Sequence, residues 1–435
     1  MTERATEQVT ERQVAVDVLV RVDEGAYANL LLPARLRASD LDARACAFAT
    51  DLVYGTLREQ RRIDALWLQH SHRPADHLDA RTRAAVRLGT YQLLHGVASH
   101  AAVGETVEVA PERARGFVNA VLRAVAAAGP PWPEPDDLAT ELSYPDWIVD
   151  RLSAELGADD AHAALRTMNT APSVALRPSA SCTTVEELDR ELRAHGVDVE
   201  AGHLVPHALL VRGAGDLARL PAVAEGRATP QDEASQAIID LVGAEPGARV
   251  ADLAAGPGGK ATGLAERVGS DGVVFAGESN PRRLQLVVRA ADRLGLAAAI
   301  APVLADGRSP PIAPGSCDAV LVDAPCTGLG VLRRRPEARW RIDESQIEPL
   351  SALQRDLLVG GASAVRRGGR LVYSVCTLTA EETLGVAAWV SEHLTDFVPL
   401  PRPEAPWRPA GHGALLLPQD AGTDGMFVAR WERVR

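Results

Sequence analysis

The sequence predicts an α/β chain whose carboxyl half is a doubly wound sheet, preceded by an all-α helical bundle and a small α/β connecting subdomain. Three observations carry that prediction. The first 128 residues repeat apolar side chains at helical spacing, a Gly/Pro-rich break follows, and a strand, loop, helix rhythm sets in near residue 226. At 435 residues the chain exceeds one ordinary core, so roughly two to three domains are expected.

In the first segment Val14, Val18, Leu19 and Val22 fall on one helical face, as do Phe117, Val118, Val121, Leu122 and Val125. Amphipathic helices joined by short turns make a bundle, assigned to residues 1–130. Gly129-Pro130-Pro131-Trp132-Pro133-Glu134-Pro135 forbids helix and ends it. Residues 138–225 mix helical patterns, 146–156 and 184–195, with short strands at 173–177 and 208–212, and form the connecting subdomain. In residues 226–435, strands are predicted at 249–253, 273–277, 298–303, 319–322 and 371–375, with a helix over 281–294 and a last strand near 426–431. A proline-rich strap is expected over 399–409. Parallel strands need long right-handed crossovers, and their ligands collect at the strands' carboxyl ends.

Composition narrows the function classes. Five cysteines without a C-x-x-C pair exclude a disulfide framework and a zinc site, so reduced thiols and no metal are expected. No apolar span approaches the roughly 20 residues that cross a bilayer, and the amino terminus mixes both charges. A soluble, cytoplasmic protein without a membrane partner is expected. Coiled-coil heptads are lacking, which makes a monomer the default. A net charge of −12 opposes non-specific binding to nucleic acid. Locally the balance reverses: Arg333, Arg334, Arg335, Arg339 and Arg341 place five guanidiniums in nine residues, and Arg58, Arg61 and Arg62 cluster near the front. A run of cations is ordinarily a solvated face. Beside a candidate catalytic cysteine, Cys326, the cluster is read as an RNA contact.

One lysine stands among the 46 basic residues, Lys260, and it closes the loop Asp252-Leu253-Ala254-Ala255-Gly256-Pro257-Gly258-Gly259-Lys260. Where nearly every cation is Arg, a lone ammonium marks a place for a compact point charge, although one lysine could also stand there by chance. The loop follows a strand and opens a helix. Ala254 and Ala261 break the P-loop pattern, and the spacing of Gly256, Gly258 and Gly259 breaks the dinucleotide fingerprint. A nucleoside-type ligand without a phosphate tail remains, with Glu278 at the end of the next strand for ribose hydroxyls and Asp306 after the third strand for adenine. S-adenosylmethionine fits these contacts; Ala254, Ala255, Gly256, Pro257, Gly258, Gly259, Lys260, Glu278, Arg283, Asp306 and Asp323 are its candidate site.

Two further strand ends carry thiols, in Asp323-Ala324-Pro325-Cys326 and Ser374-Val375-Cys376-Thr377. Carbon 5 of a pyrimidine is a feeble nucleophile until a thiolate adds at carbon 6 and turns the ring into an enamine. Such chemistry needs a thiolate, an acid near ring nitrogen 3, a methyl donor and a base for the carbon-5 proton. Asp323, Cys326 and Cys376 supply the residue types. Thr379-Ala380-Glu381-Glu382 reads as a capping box that starts a helix just after Cys376, whereas Cys46, Cys182 and Cys317 are taken as inert.

Residues 250–260, 321–340 and 371–382 resemble the methyl-donor, Asp-Ala-Pro-Cys and Thr-Cys-Ser motifs of bacterial ribosomal RNA cytosine-C5 methyltransferases of the Sun (Fmu) type. These carry an amino-terminal domain similar to the antitermination factor NusB. The likeness spans nearly the whole chain, including Tyr54-Gly55-Thr56-Leu57-Arg58, Glu105-Thr106-Val107-Glu108, residues 117–123 and Thr423-Asp424-Gly425-Met426-Phe427. The resemblance implies a NusB-like RNA-binding bundle and a Rossmann-like S-adenosylmethionine-dependent methyltransferase domain. It also implies Cys376 as nucleophile, Cys326 assisting product release, and Asp323 supporting the adduct with Lys260 close by. DNA cytosine methyltransferases attack with the Pro-Cys thiol, and the second cysteine at 376 favours the RNA branch. Three segments depart from the family pattern: the loop has Ala254 and Gly256, Glu278 stands where Asp is common, and Val375-Cys376-Thr377 replaces Thr-Cys-Ser. The expected substrate is small-subunit ribosomal RNA; transfer RNA, or a non-catalytic RNA-binding or transcription-associated role, is the alternative.

Overall fold

The computed structural model describes residues 9–435. The chain divides into two compact units, one running to Ala154 and including Arg334–Arg341, the other comprising Glu155–Arg333 and Ile342–Arg435.

The first unit is helical: α1 Glu11–Asp23, α2 Ala28–Arg37, α3 Ala43–Arg58, α4 Gln60–Leu68, α5 Ala80–Leu94, α6 Ser99–Val109, α7 Arg115–Ala128 and α8 Leu138–Leu142, with the division falling inside α9, Asp146–Leu156. Thr10, Asp42 and Asp79 cap α1, α3 and α5 by accepting from Gln13, Ala45 and Thr82 amides, which satisfies donors a helix start leaves open. The predicted stripes face inward: Val14, Val18, Leu19 and Val22 pack in one core with Val118, Val121, Leu122 and Val125, and Phe117 lies at its edge. At Gly55 a Cβ would occupy the Tyr91 ring, so the helices approach closely there. The bundle extends past the expected boundary at 130. Arg61 explains this: its amide donates to Ser143 Oγ at 2.8 Å, and its guanidinium reaches Thr140 Oγ1 and the Tyr144 carbonyl, both at 2.9 Å.

The second unit opens with a four-stranded antiparallel sheet ordered β2-β3-β1-β4, from β1 Val174–Pro178, β2 Asp198–Ala201, β3 Leu209–Arg212 and β4 Ala228–Pro230. Helices α10 Ala158–Met168, α11 Val185–Ala194 and α12 Pro221–Ala224 accompany it. β4 lies beyond the boundary expected at 225, because Leu176 and Arg177 pair with Pro230 and Thr229.

After α13 Glu233–Val242 come β5 Arg249–Asp252, α14 Gly259–Val268, β6 Val273–Glu278, α15 Pro281–Arg293, β7 Ile300–Leu304, β8 Cys317–Asp323, α16 Ile347–Ala364, β9 Val365–Val375 and α17 Val386–His393. The chain closes with β10 Phe397–Pro399, β11 Arg408–Ala410, β12 Gly413–Leu416 and β13 Met426–Arg433. The sheet order is β11-β12-β13-β9-β8-β5-β6-β7. Strands β9, β8, β5, β6 and β7 are parallel neighbours, whereas β13 runs antiparallel to β9. The chain winds outward from β5 to β7, then returns through β8 and β9 on the other side. The switch point therefore lies between β5 and β8, where a doubly wound sheet opens its ligand crevice.

Candidate active site

Register sets the site. Asp252 pairs with Leu321 across β5 and β8, and Asp323 pairs with Ser374 across β8 and β9. The glycine loop, the Asp323 loop and the Cys376 loop thus leave three adjacent strands at one end of the sheet.

Lys260, in the first turn of α14, donates from Nζ to Asp323 Oδ2 at 2.8 Å, and Ser374 Oγ donates to Asp323 Oδ1 at 2.7 Å. Burial alone would lower the lysine's pKa, but the charge of Asp323 and its hydrogen bond outweigh that and raise it. The ammonium therefore stays charged throughout the neutral range. The thiols of Cys326 and Cys376 lie 3.4 Å apart, sulfur to sulfur, and both are partly exposed. The hydrogen bond to Cys376 and then burial push the Cys326 thiol well above its usual range.

The glycine loop fits the expected cofactor. A Cβ at Gly256 would strike the Glu278 carboxylate and Arg283, and Gly258 takes φ +110° at the start of α14, a conformation glycine adopts freely. Glu278 is buried, accepts from the Asn280 amide at 2.9 Å and pairs with Arg283 at 3.2 Å. Asp252 is buried, and its Oδ2 has no hydrogen-bond partner among the described residues. Burial, then the charge of Asp323, raise its pKa to about 7 against the pull of Lys260. Four carboxylates stand at these strand ends, Asp252, Glu278, Asp306 and Asp323, the last three each paired with a cation. Asp306 is half exposed and chelated by Arg308 at 2.7 Å. Ala254, Ala255 and Pro257 complete the loop, whose Ala255 amide donates to the Gly277 carbonyl at 2.8 Å.

The arginine cluster requires correction. Arg339 is fully buried, with its guanidinium carbon 3.8 Å from the Tyr144 ring centroid and Nη1 donating to the Ser143 carbonyl at 3.0 Å. Arg341 donates to the carbonyls of Val22 and Ala26 at 2.6 and 2.7 Å. Arg333 is buried and donates to the Gly422 and Ala171 carbonyls at 2.7 and 2.9 Å. All three guanidiniums donate to backbone carbonyls inside the fold; Arg333 and Arg339 are buried and Arg341 is half-buried. Arg334 is half-buried, and only Arg335 of the five is exposed. The capping box after Cys376 is corrected as well: Thr379 Oγ1 donates to the Glu382 carboxylate at 2.8 Å, and Glu381–Gly385 form one wide π-turn before α17.

Sequence reasoning passed over Asp252, Ser374 and Glu382. Asp252 carried a signal, since it ends the strand before the glycine loop. Ser374 lay within a quoted motif but drew no role. Glu382 was absorbed into the capping pattern.

Among the described residues no helix is long and apolar enough to cross a membrane, and no cluster of His, Cys, Asp and Glu could hold a metal ion.

Three family descriptions match the chain: "NusB family" over residues 9–127, "Methyltr_RsmF/B-like, ferredoxin-like domain" over 144–218, and "16S rRNA methyltransferase RsmB/F" over 240–432. Ribosomal RNA small subunit methyltransferase B of Thermus thermophilus is 37% identical, over 98% of this chain and 98% of that protein. The probable ribosomal RNA small subunit methyltransferase B of Bacillus subtilis is 31% identical, over 96% and 97%. The solved structure called PH0851 superposes with a TM-score of 0.85 at 26% identity, covering 98% of this chain and 99% of that one. NSun6 from Pyrococcus horikoshii, solved with SFG, shares the fold over 67% of this chain and 98% of its own, with a TM-score of 0.60 at 20% identity.

Proposed function

Because the chain belongs to the RsmB/F family of S-adenosylmethionine-dependent 16S rRNA methyltransferases, we propose that it methylates carbon 5 of a cytosine through a covalent adduct on Cys376. The RNA is that of the small ribosomal subunit. One observation carries this reading: two accessible thiols 3.4 Å apart at the strand ends that also carry the Lys260–Asp323 pair. A methyltransferase acting on an oxygen or an exocyclic nitrogen has no use for paired sulfurs.

In this reading the Cys376 thiolate adds to carbon 6 of the flipped-out base. As the adduct forms, ring nitrogen 3 takes up a proton from solvent and donates it in a hydrogen bond to the Asp323 carboxylate, which Lys260 and Ser374 hold on both oxygens. Lys260 supplies the compensating charge that keeps Asp323 in place in a partly buried site. Bound S-adenosylmethionine supplies the electrophilic methyl group, held by the loop 254–259 with Glu278, Arg283 and Asp306. Cys326, after releasing its own proton to solvent, takes the carbon-5 proton, and elimination breaks the carbon 6–sulfur bond and restores the Cys376 thiolate. A thiol whose pKa is raised is the stronger base when it does ionise, which suits Cys326 to that final step.

Bisulfite sequencing of 16S and transfer RNA, from cells with and without the gene, tests the substrate. One cytosine in 16S RNA should lose its protection and regain it on complementation. Loss confined to transfer RNA, or no loss in either, overturns the ribosomal assignment.

A further inference from the structure

Glu382 is fully buried, yet its side chain is a carboxylate in the middle of the site's supporting layer. Taking a carboxyl group out of water is costly unless donors surround it, and here they do. One oxygen accepts from the Thr327 amide at 2.9 Å and Gln354 Nε2 at 3.1 Å. The other accepts from the hydroxyls of Thr327 at 2.5 Å and Thr379 at 2.8 Å. Thr377 Oγ1 lies 2.7 Å from Thr327 Oγ1 and 3.3 Å from the same carboxylate oxygen, so its single proton serves one of them.

The positions of these donors give the cluster its meaning. Thr327 follows Cys326, and Thr377 follows Cys376. The second amide proton of Gln354 goes to the Pro325 carbonyl at 2.9 Å, so both neighbours of Cys326 are pinned through one carboxylate and one amide. Tyr373, in β9, donates its hydroxyl to the Glu382 carbonyl at 2.6 Å and fixes the turn from which the carboxylate projects. That turn is the wide π-turn Glu381–Gly385, a local departure often found where a helix must aim a side chain.

We propose that Glu382 is a positioning residue that locks the Cys326 loop to the Cys376 loop and so sets the separation of the two thiols. The proposal rests on the covalent-adduct reading for its purpose, though not for its geometry. The negative charge of Glu382 also contributes to the raised pKa of Cys326, so the same residue helps keep that thiol protonated while Cys376 attacks.

The test compares Glu382→Gln, Glu382→Ala and Thr379→Val with the wild-type chain on three readouts. These are turnover on RNA with S-adenosylmethionine, the rate at which diamide joins Cys326 to Cys376, and the pH profile of Cys326 alkylation by iodoacetamide in a Cys376→Ser background. Glu382→Ala should lower kcat by about 100-fold, the scale of an ångström's misplacement, slow diamide cross-linking at least tenfold, and leave the dissociation constant for S-adenosylmethionine within about twofold. Glu382→Gln keeps an acceptor for the Thr327 amide while its own amide donates to hydroxyls that can rotate. It should recover most of the cross-linking rate yet move Cys326 alkylation to lower pH. A purely structural role would not move that profile. Should Glu382→Ala fail to fold, Glu382→Gln and Thr379→Val decide: wild-type kcat, cross-linking and alkylation in both overturns the proposal. If wild-type enzyme instead leaves carbon 5 unmodified, the adduct reading fails, while cross-linking and alkylation still judge Glu382.

Discussion

Cys326 and Cys376 approach to 3.4 Å although 50 residues separate them in the chain. Their loops leave adjacent parallel strands, β8 and β9, just beyond the pairing of Asp323 with Ser374. The Cys326 thiol is driven upward in pKa by its hydrogen bond to Cys376 and by burial, and the proposed mechanism gives the two sulfurs different tasks. Replacing Cys326 with Ala should therefore let attack proceed but block release. A covalent enzyme-RNA species resistant to denaturing gel conditions is expected for Cys326→Ala and none for Cys376→Ala. The reverse pattern exchanges the two roles.

Lys260 and Asp323 form a mostly buried ion pair, with side chains 13% and 29% exposed. Removing one partner strands the other's charge, at a cost of about 3 kcal/mol. Lys260→Met should lower Tm and abolish turnover, and Lys260→Met combined with Asp323→Asn should recover Tm but not turnover. Lys260→Arg should also lose at least about tenfold in kcat, because a planar guanidinium does not replace a compact ammonium. Wild-type kcat in that variant would return the lone lysine to coincidence.

Asp252 gives the site a pH signature. Its folded pKa of about 7 lies above the ordinary 3.8, with burial the largest cause. Between these values the folded chain holds a proton that the unfolded chain has released, so stability falls as pH rises through that window. The full penalty, on the order of 4 kcal/mol, is reached above pH 7. Asp252→Asn should remove it: urea midpoints of the ligand-free variant and the wild type should nearly coincide near pH 4 and diverge in the variant's favour by pH 8. Parallel midpoint curves would show that Asp252 is ionised in the fold at an ordinary pH.

Arg339 separates a structural cation from an RNA-binding one. Arg339→Ala removes the stack on Tyr144 and the bond to the Ser143 carbonyl, which should destabilise the helical unit by about 2–4 kcal/mol. The salt dependence of RNA binding, measured well below Tm, should keep its slope, because no phosphate contact is lost. A slope reduced by about 0.7 or more would place Arg339 on the RNA after all.

Most of the candidate site was legible because it is local. Each motif follows an apolar strand, and parallel sheets bring such ends together, so Lys260, Asp323, Cys326 and Cys376 could be placed without knowing the strand order. The buried arginines were not legible. Arg339 is explained by Tyr144 and Ser143, nearly 200 residues earlier, and a run of cations in a sequence looks the same whether water or carbonyls receive it. Glu382 was hidden for a related reason: a carboxylate three residues after Thr379 is the written form of a helix cap, and only the surrounding donors reveal the clamp. β4 was not recognised as a strand, because three residues carry too little period to declare one or its partner.

The eight residues Arg334–Arg341 pack with the helices although the chain enters and leaves them from the catalytic unit. Glu337 accepts from the Ala28 amide at 3.0 Å, and Arg341 closes on the carbonyls of Val22, in the last turn of α1, and Ala26, just after it. Amputating the amino-terminal helices would strip this loop of its seat and leave a buried-type arginine and glutamate hanging from the stretch that follows Cys326. Evolution cannot trade one half for another without rewriting that loop. Swapping bundles between relatives should succeed only when residues 334–341 travel with them.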